Sequence, residues 1–138
     1  MTDDFTKDFD AWNQLKQKLE SLPPQNVPTY FRTREVWWCS IGINLGSEQC
    51  GKGNEFLRPV LILKRISPTT FIGVSLTTKL KERDDHYRLT VGGKLADVQL
   101  SSVRTLDARR LFEKIEKLSE GVFSGVLAAF IKSFSPGP

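Results

Sequence analysis

Five short runs rich in β-branched and aromatic residues, between Glu35 and Leu106, limit what this chain can fold into more than any other feature. They read EVWWCSIGIN from Glu35, RPVLILKRI from Arg58, TTFIGVSLT from Thr69, HYRLTV from His86 and LADVQLSSVRTL from Leu95. Polar or glycine-containing loops separate them. Residues of this kind in runs of this length suit a pleated, half-buried surface, so the pattern predicts an antiparallel sheet or small barrel. Gly92-Gly93 offers the positive φ that a tight hairpin requires between the last two runs. Pro59 suits the start of a strand, where its missing N–H leaves no ladder bond broken.

Helical patterning flanks these runs. Phe5, Phe9, Trp12, Leu15 and Leu19 recur at helical spacing over residues 5–21, which puts them on one face. Thr2, ahead of Asp3 and Asp4, is the expected cap. Pro23-Pro24 then ends the helix, and PPQNVP forms a short stiff connector. An apolar stripe of this length needs a cover, from the main domain, a second copy or a partner. After Asp107 the sequence returns to helical spacing, with Leu111, Ile115 and Leu118 on one side, followed by Val122, Val126, Ala129 and Phe130. Ser119 with Glu120 marks the start of a final helix running to about Phe134. The expectation is an α+β, mainly β fold in two parts: an N-terminal helix and connector over 1–30 and a main domain over 31–138.

Composition bounds the function. A chain of 138 residues with 39% hydrophobic content suits one sizeable core. No apolar run approaches the roughly 20 residues needed to span a bilayer, and the acidic start MTDDFTKDFD lacks the basic end of a secretory signal, so no membrane association and a cytoplasmic location are expected. Charge is unevenly spread. Residues 1–30 carry three Lys against five acids, whereas the rest of the chain carries seventeen Lys and Arg against eleven acids. A basic main domain favours a phosphate-bearing or acidic partner. Cys39 and Cys50 read as structural thiols, and with His86 the only histidine the usual zinc ligand sets are missing. No metal or cofactor is expected.

The stretch GSEQCGKGNEFLRPVLILKR places Arg58 and Pro59 at the seam between a polar loop and an apolar strand. Together with REVWWCSIGIN before it, VSLTTK after it, VQLSSVRTLDARRLFEKI and a final amphipathic helix, it resembles the PemK/MazF family of toxin endoribonucleases from type II toxin–antitoxin systems. The resemblance runs over roughly residues 33–132, with its elements in the family's order; the helix at 1–22 lies outside it. It implies an SH3-like barrel with a C-terminal helix, a homodimer, a cognate antitoxin as protein partner, and metal-independent cleavage of single-stranded RNA. In such cleavage the ribose 2′-hydroxyl attacks the adjacent phosphate, leaving a 2′,3′-cyclic phosphate and a 5′-hydroxyl.

That reaction adds negative charge to a five-coordinate phosphorus, which a fixed guanidinium with two parallel donors stabilises. Arg58 matches the family's catalytic arginine; the structural alternative is an edge-strand arginine that blocks strand pairing. Thr77 matches the threonine used beside it, and its neighbour Thr78 points to the opposite face if the strand continues. An arginine is a poor base at neutral pH, so Glu48 is the candidate acceptor of the 2′ proton, with a solvated loop glutamate as the competing view. Ser47, Gln49, Lys52, Asn54, Thr78 and Lys79 are candidate RNA contacts. His86 is weighed as the acid for the leaving group, against an exposed residue beside Asp84 and Asp85. Where some members of the family carry an arginine and an aspartate, this chain has Gln99, Ser101 and Ser102. Arg104 is expected to be structural or dimer-stabilising and not catalytic, since a buried ion pair with Asp107 suffices to explain it. Two other functions share the fold: a non-enzymatic toxin that binds DNA gyrase, and a barrel that binds RNA without cutting it. For the N-terminal helix, two roles are open: covering the RNA groove, or extending the core.

Overall fold

The computed structural model describes residues 6–136. Six strands, β1 (Glu35–Ser40), β2 (Leu57–Ser67), β3 (Thr70–Thr77), β4 (His86–Val91), β5 (Lys94–Asp107) and β6 (Leu111–Lys117), form one antiparallel sheet in the order β4-β5-β3-β2-β1-β6. Helices α1 (Phe9–Glu20) and α2 (Glu120–Ser133) flank it. The sheet curls until its two outer strands approach, and the Glu116 carboxylate of β6 accepts from Gly92 N in the β4–β5 turn. Gly92 and Gly93 both have positive φ, as the hairpin between Val91 and Lys94 requires. The mainly β, barrel-like architecture is the expected one. Among the described residues no helix is long and apolar enough to cross a membrane.

Alternation along the strands gives the sheet two apolar faces. On one, Val36, Leu61, Val74, Leu76, Val98 and Leu100 pack against Phe123, Val126 and Phe130 of α2. On the other, Val60, Ile62, Phe71, Leu106 and Leu111 pack around Phe31, just after the connector. Ser119 caps α2 by accepting from Val122 N at 3.2 Å, as expected, although Val122 itself faces solvent.

Two expectations need correction. The helical reading of 107–118 fails: a 3₁₀ turn (Ala108–Arg110) leads into strand β6, which pairs with β1. Two bulges, at Phe112 and Ile115, leave those residues without a partner on β1. They turn Leu111 and Ile115 into opposite cores, so the spacing of four reflects bulged pairing and not a helical face. The free edge of β1 outweighs local propensity, because an unpaired edge leaves a row of backbone groups unsatisfied. At the other end, α1 begins at Phe9 and not at residue 5. Asp8 Oδ1 caps it by accepting from Ala11 N at 2.9 Å, while Thr2 and Phe5 lie outside the described residues.

α1 docks against the loop between β1 and β2. Trp12 packs with Ile43, Cys50 and Phe56, its ring edge-on to Phe56 at 5.6 Å between centroids. Gly42 has φ +83°, and a Cβ there would fall inside the Trp12 indole. The Arg110 guanidinium lies over the Trp12 ring, 5.6 Å from its centroid. Lys7 Nζ donates to the carbonyls of Asn44 at 2.6 Å and Gly46 at 2.8 Å. The helix therefore extends the core, as one of its two open roles held.

A candidate active-site cleft

The face of the sheet that carries the second apolar core turns polar toward one end. Val60 pairs with Ser75 across β2 and β3, and one alternation further Arg58 and Thr77 come to the same face. There a cleft of about 1000 Å³ opens, lined by both residues together with Ser75, Gln99 and His86. Its remaining wall comes from the β1–β2 loop, the β3–β4 connection and β5.

An irregularity in the ladder makes room for it. Between Val74 and Leu76 on β3, the partners on β5 jump from Val103 to Val98, so β5 uses five residues where β3 uses two. Gln99, Ser101 and Ser102 lie in that excursion and line the cleft.

Arg58 is anchored on both sides. Its Nε donates to the Cys50 carbonyl at 2.7 Å. In the orientation of the Gln49 amide that satisfies both neighbours, Gln49 Oε1 accepts from Arg58 Nη2 at 3.1 Å and Gln49 Nε2 donates to Gln99 Oε1 at 3.1 Å. Gln99 Oε1 also accepts from Ser75 Oγ at 3.2 Å. Burial draws the Arg58 pKa below the usual arginine range, and the adjacent Cys50 acts the other way without cancelling it. A guanidinium partly stripped of water and fixed in direction is a strong anion ligand.

Thr77 is buried, and its Oγ1 accepts from Lys79 N at 3.1 Å, which fixes the strand end. Glu48 lines the cleft; one of its carboxylate oxygens accepts from Leu45 N at 2.9 Å and closes the loop turn. Ser47, Gln49 and Lys79 line the cleft as well. Lys52, Asn54 and Thr78 do not line it. Lys52 forms a two-way backbone bridge with Leu57, and Asn54 sits at the exposed tip of that small hairpin.

Two readings need correction here. Arg104 makes no buried pair with Asp107: it lines the cleft, while Asp107 pairs with Arg109 at 3.1 Å and accepts from Arg109 N. Residues three apart on a strand point to opposite faces, which the helical reading after Asp107 obscured. His86 is not an exposed loop residue. Its side chain is only 6% exposed, it lines the cleft, and its Nδ1 sits 2.9 Å from Asp97 Oδ2. Asp97, fully buried, also receives Arg88 Nε at 3.0 Å and Lys81 N at 2.8 Å. Burial alone would raise the Asp97 carboxyl, but the bonds from Arg88, Lys81 N and His86 outweigh it and hold it at about 2. No local motif marks this pair. The hairpin at Gly92-Gly93 does, since a two-residue turn sets His86 opposite Gln99 and diagonal to Asp97 on one face.

Both cysteines are free and buried, and burial pushes the Cys39 thiol up to about 12, in keeping with structural roles.

Arg58, Lys79, Lys81, Arg83 and Arg104 thus meet only Glu48 and Asp85 as lining acids, and the cleft suits a polyanion. Arg83 is partly committed, its Nε lying 2.8 Å from Asp85 Oδ1.

The fold has solved counterparts. MazF from Deinococcus radiodurans superposes with a TM-score of 0.61 at 21% identity, over 77% of this chain and 94% of that one. An endoribonuclease in complex with its cognate antitoxin from a mycobacterial species gives 0.59 at 15% identity, over 78% and 99%. The Mycobacterium tuberculosis toxin MazF-mt6 gives 0.57 at 17% identity, over 73% and 96%. No curated protein matches the sequence. The model of the PemK-like, MazF-like toxins of type II toxin–antitoxin systems matches residues 32–134, leaving α1 outside. With the barrel-like sheet, the arginine at the loop–strand seam and a match over most of its length, this chain belongs to the PemK-like, MazF-like toxin family.

Proposed function

We propose that this protein is the toxin of a type II toxin–antitoxin system and a metal-independent, sequence-selective endoribonuclease acting on single-stranded RNA. The observation that carries the reading is the convergence of Arg58 and Thr77 on one wall of a cation-rich cleft, with the guanidinium held by the Cys50 carbonyl and Gln49. Two donors on a rigid strand, aimed where phosphate charge grows, supply the largest single term such a reaction needs. Arg58 stabilises the five-coordinate phosphorane. Thr77 holds a phosphate oxygen or the 2′-hydroxyl, and Glu48 takes the 2′ proton. Ser47, Gln49 and Lys79 contact RNA inside the cleft, while Lys52, Asn54 and Thr78 meet it only where the strand runs beyond the cleft. The protein works in the cytoplasm as a homodimer, silenced by a cognate antitoxin; an acidic, disordered segment that folds on binding suits a basic cleft.

The test is incubation of end-labelled single-stranded RNAs of diverse sequence with wild type and Arg58→Ala in a metal chelator, with analysis of the product ends. Cleavage by wild type to cyclic phosphate and 5′-hydroxyl, with loss of about 10²-fold or more in the variant, is the expected result. No cleavage of any RNA by wild type would overturn the nuclease reading in favour of a binding-only barrel or a gyrase-binding toxin.

A further inference from the structure

A nuclease that expels an alkoxide needs a proton at O5′, and none of Arg58, Thr77 or Glu48 is suited to give one. Arginine holds its protons too tightly, threonine is far too weak an acid, and an ionised glutamate is an acceptor. The cleft also holds an imidazole, the side chain most often used for general acid work. His86 opens β4, lines the cleft, and lies opposite Gln99, which is bonded in turn to Gln49 beside Arg58.

The ring is oriented before substrate arrives. An ionised Asp97 only accepts, so the contact at 2.9 Å places the proton on His86 Nδ1. Nε2 is then the nitrogen left to exchange a proton with a ligand, since the hydrogen bond that the His86 ring makes among the described residues runs from Nδ1. Asp97 is itself held by Arg88 and Lys81 N, so the carboxylate cannot swing away from the imidazole. A buried carboxylate behind an imidazole fixes its tautomer and the direction of the ring.

We propose that His86, oriented by Asp97, is the general acid that protonates the 5′-oxygen leaving group. The inference rests on the nuclease reading above. As O2′ attacks phosphorus its proton passes to Glu48, and a P–O2′ bond forms. The P–O5′ bond breaks with its electron pair on O5′, which takes the proton from His86 Nε2. The imidazolium becomes neutral imidazole with Nδ1–H still on Asp97, one proton has been taken and one given, and the products are the cyclic phosphate and the 5′-hydroxyl.

The test compares two RNAs that differ in one atom at the cleaved bond: the natural bridging 5′-oxygen, and a bridging 5′-sulfur, whose thiolate leaves without a proton. His86→Ala is expected to lose about 10²-fold or more in single-turnover rate on the oxygen substrate. On the sulfur substrate it should stay within about threefold of wild type, because the step that His86 serves has been made unnecessary. His86→Asn, which keeps a donor toward Asp97, guards against a folding failure in the alanine variant and should show the same split. Equal losses on both substrates in the folded His86→Asn protein would overturn the proposal and leave His86 as a structural or RNA-holding residue. Full activity on both would overturn it as well. If wild type cuts neither RNA, it is the nuclease reading that fails, and the inference falls with it.

Discussion

Asp97 shows how far one residue's surroundings reach. Its folded pKa of about 2 lies below the ordinary 3.8, so ionised Asp97 stabilises the fold. The sign follows: the contribution is fully present above the unfolded value and disappears as pH falls through about 4 to 2. The shift corresponds to something on the order of 2 kcal/mol. Asp97→Asn is expected to lower the midpoint of urea unfolding at pH 7 and to flatten the acid limb of stability against pH over that window. Equal acid sensitivity in wild type and variant would show that the bonds from Arg88 and His86 carry no net stability. At this scale the sequence was only partly legible. Arg58 and Thr77 stand in stretches, loop–Arg–Pro and a strand end, that the resemblance to the toxin family picks out. His86 and Asp97 are eleven residues apart in runs that read as ordinary strand, and only the register of a hairpin brings them together.

Among the elements, α1 carries the clearest prediction. Trp12 fills the space above Gly42, and Lys7 ties down two carbonyls of the loop that brings Ser47, Glu48 and Gln49 to the cleft. Trp12→Ala should cost about 3–5 kcal/mol, as large-to-small changes at packed aromatic sites do. Amide exchange in residues 42–56 should speed up more than in β2 or β3. Uniform acceleration across the sheet would show that the helix stabilises the whole fold and does not brace the loop in particular. No residue of α1 lines the cleft, so removing residues 1–26 is expected to weaken cleavage by loosening the loop; a gain in activity would instead revive the idea that the helix covers the RNA groove. The amphipathic stripe made α1 legible and Ser119 marked the start of α2. Strand β6 was not legible, since the Leu111–Ile115 spacing fits a helix as well as a doubly bulged strand, and only the open edge of β1 decides between them.

At the scale of the molecule, charge separates the two parts. Helix α1 lies against the β1–β2 loop, while the main domain gathers its cations around the cleft. RNA binding is therefore expected to weaken as salt rises, with log Kd linear in log salt. Arg104→Ala should reduce the magnitude of that slope by about 0.7 if it meets one phosphate of a single strand, with little change in Tm. An unchanged slope would place Arg104 outside the RNA path. The five runs that became β1 to β5 and the basic balance were legible from the chain alone. The depth of the cleft was not, because it depends on where β5 leaves its ladder.

That excursion separates two kinds of inheritance. Arg58 and Thr77 stand on strands whose pairing the whole sheet enforces, so drift at those positions is felt in folding as well as in chemistry. Ser101 and Ser102 lie where β5 has slipped free of β3, and a new side chain there changes what the cleft presents without shifting any register. On the proposed function, a lineage built on this barrel can vary the RNA it accepts by rewriting a few unpaired residues, and keep Arg58 and Thr77 in place while doing so.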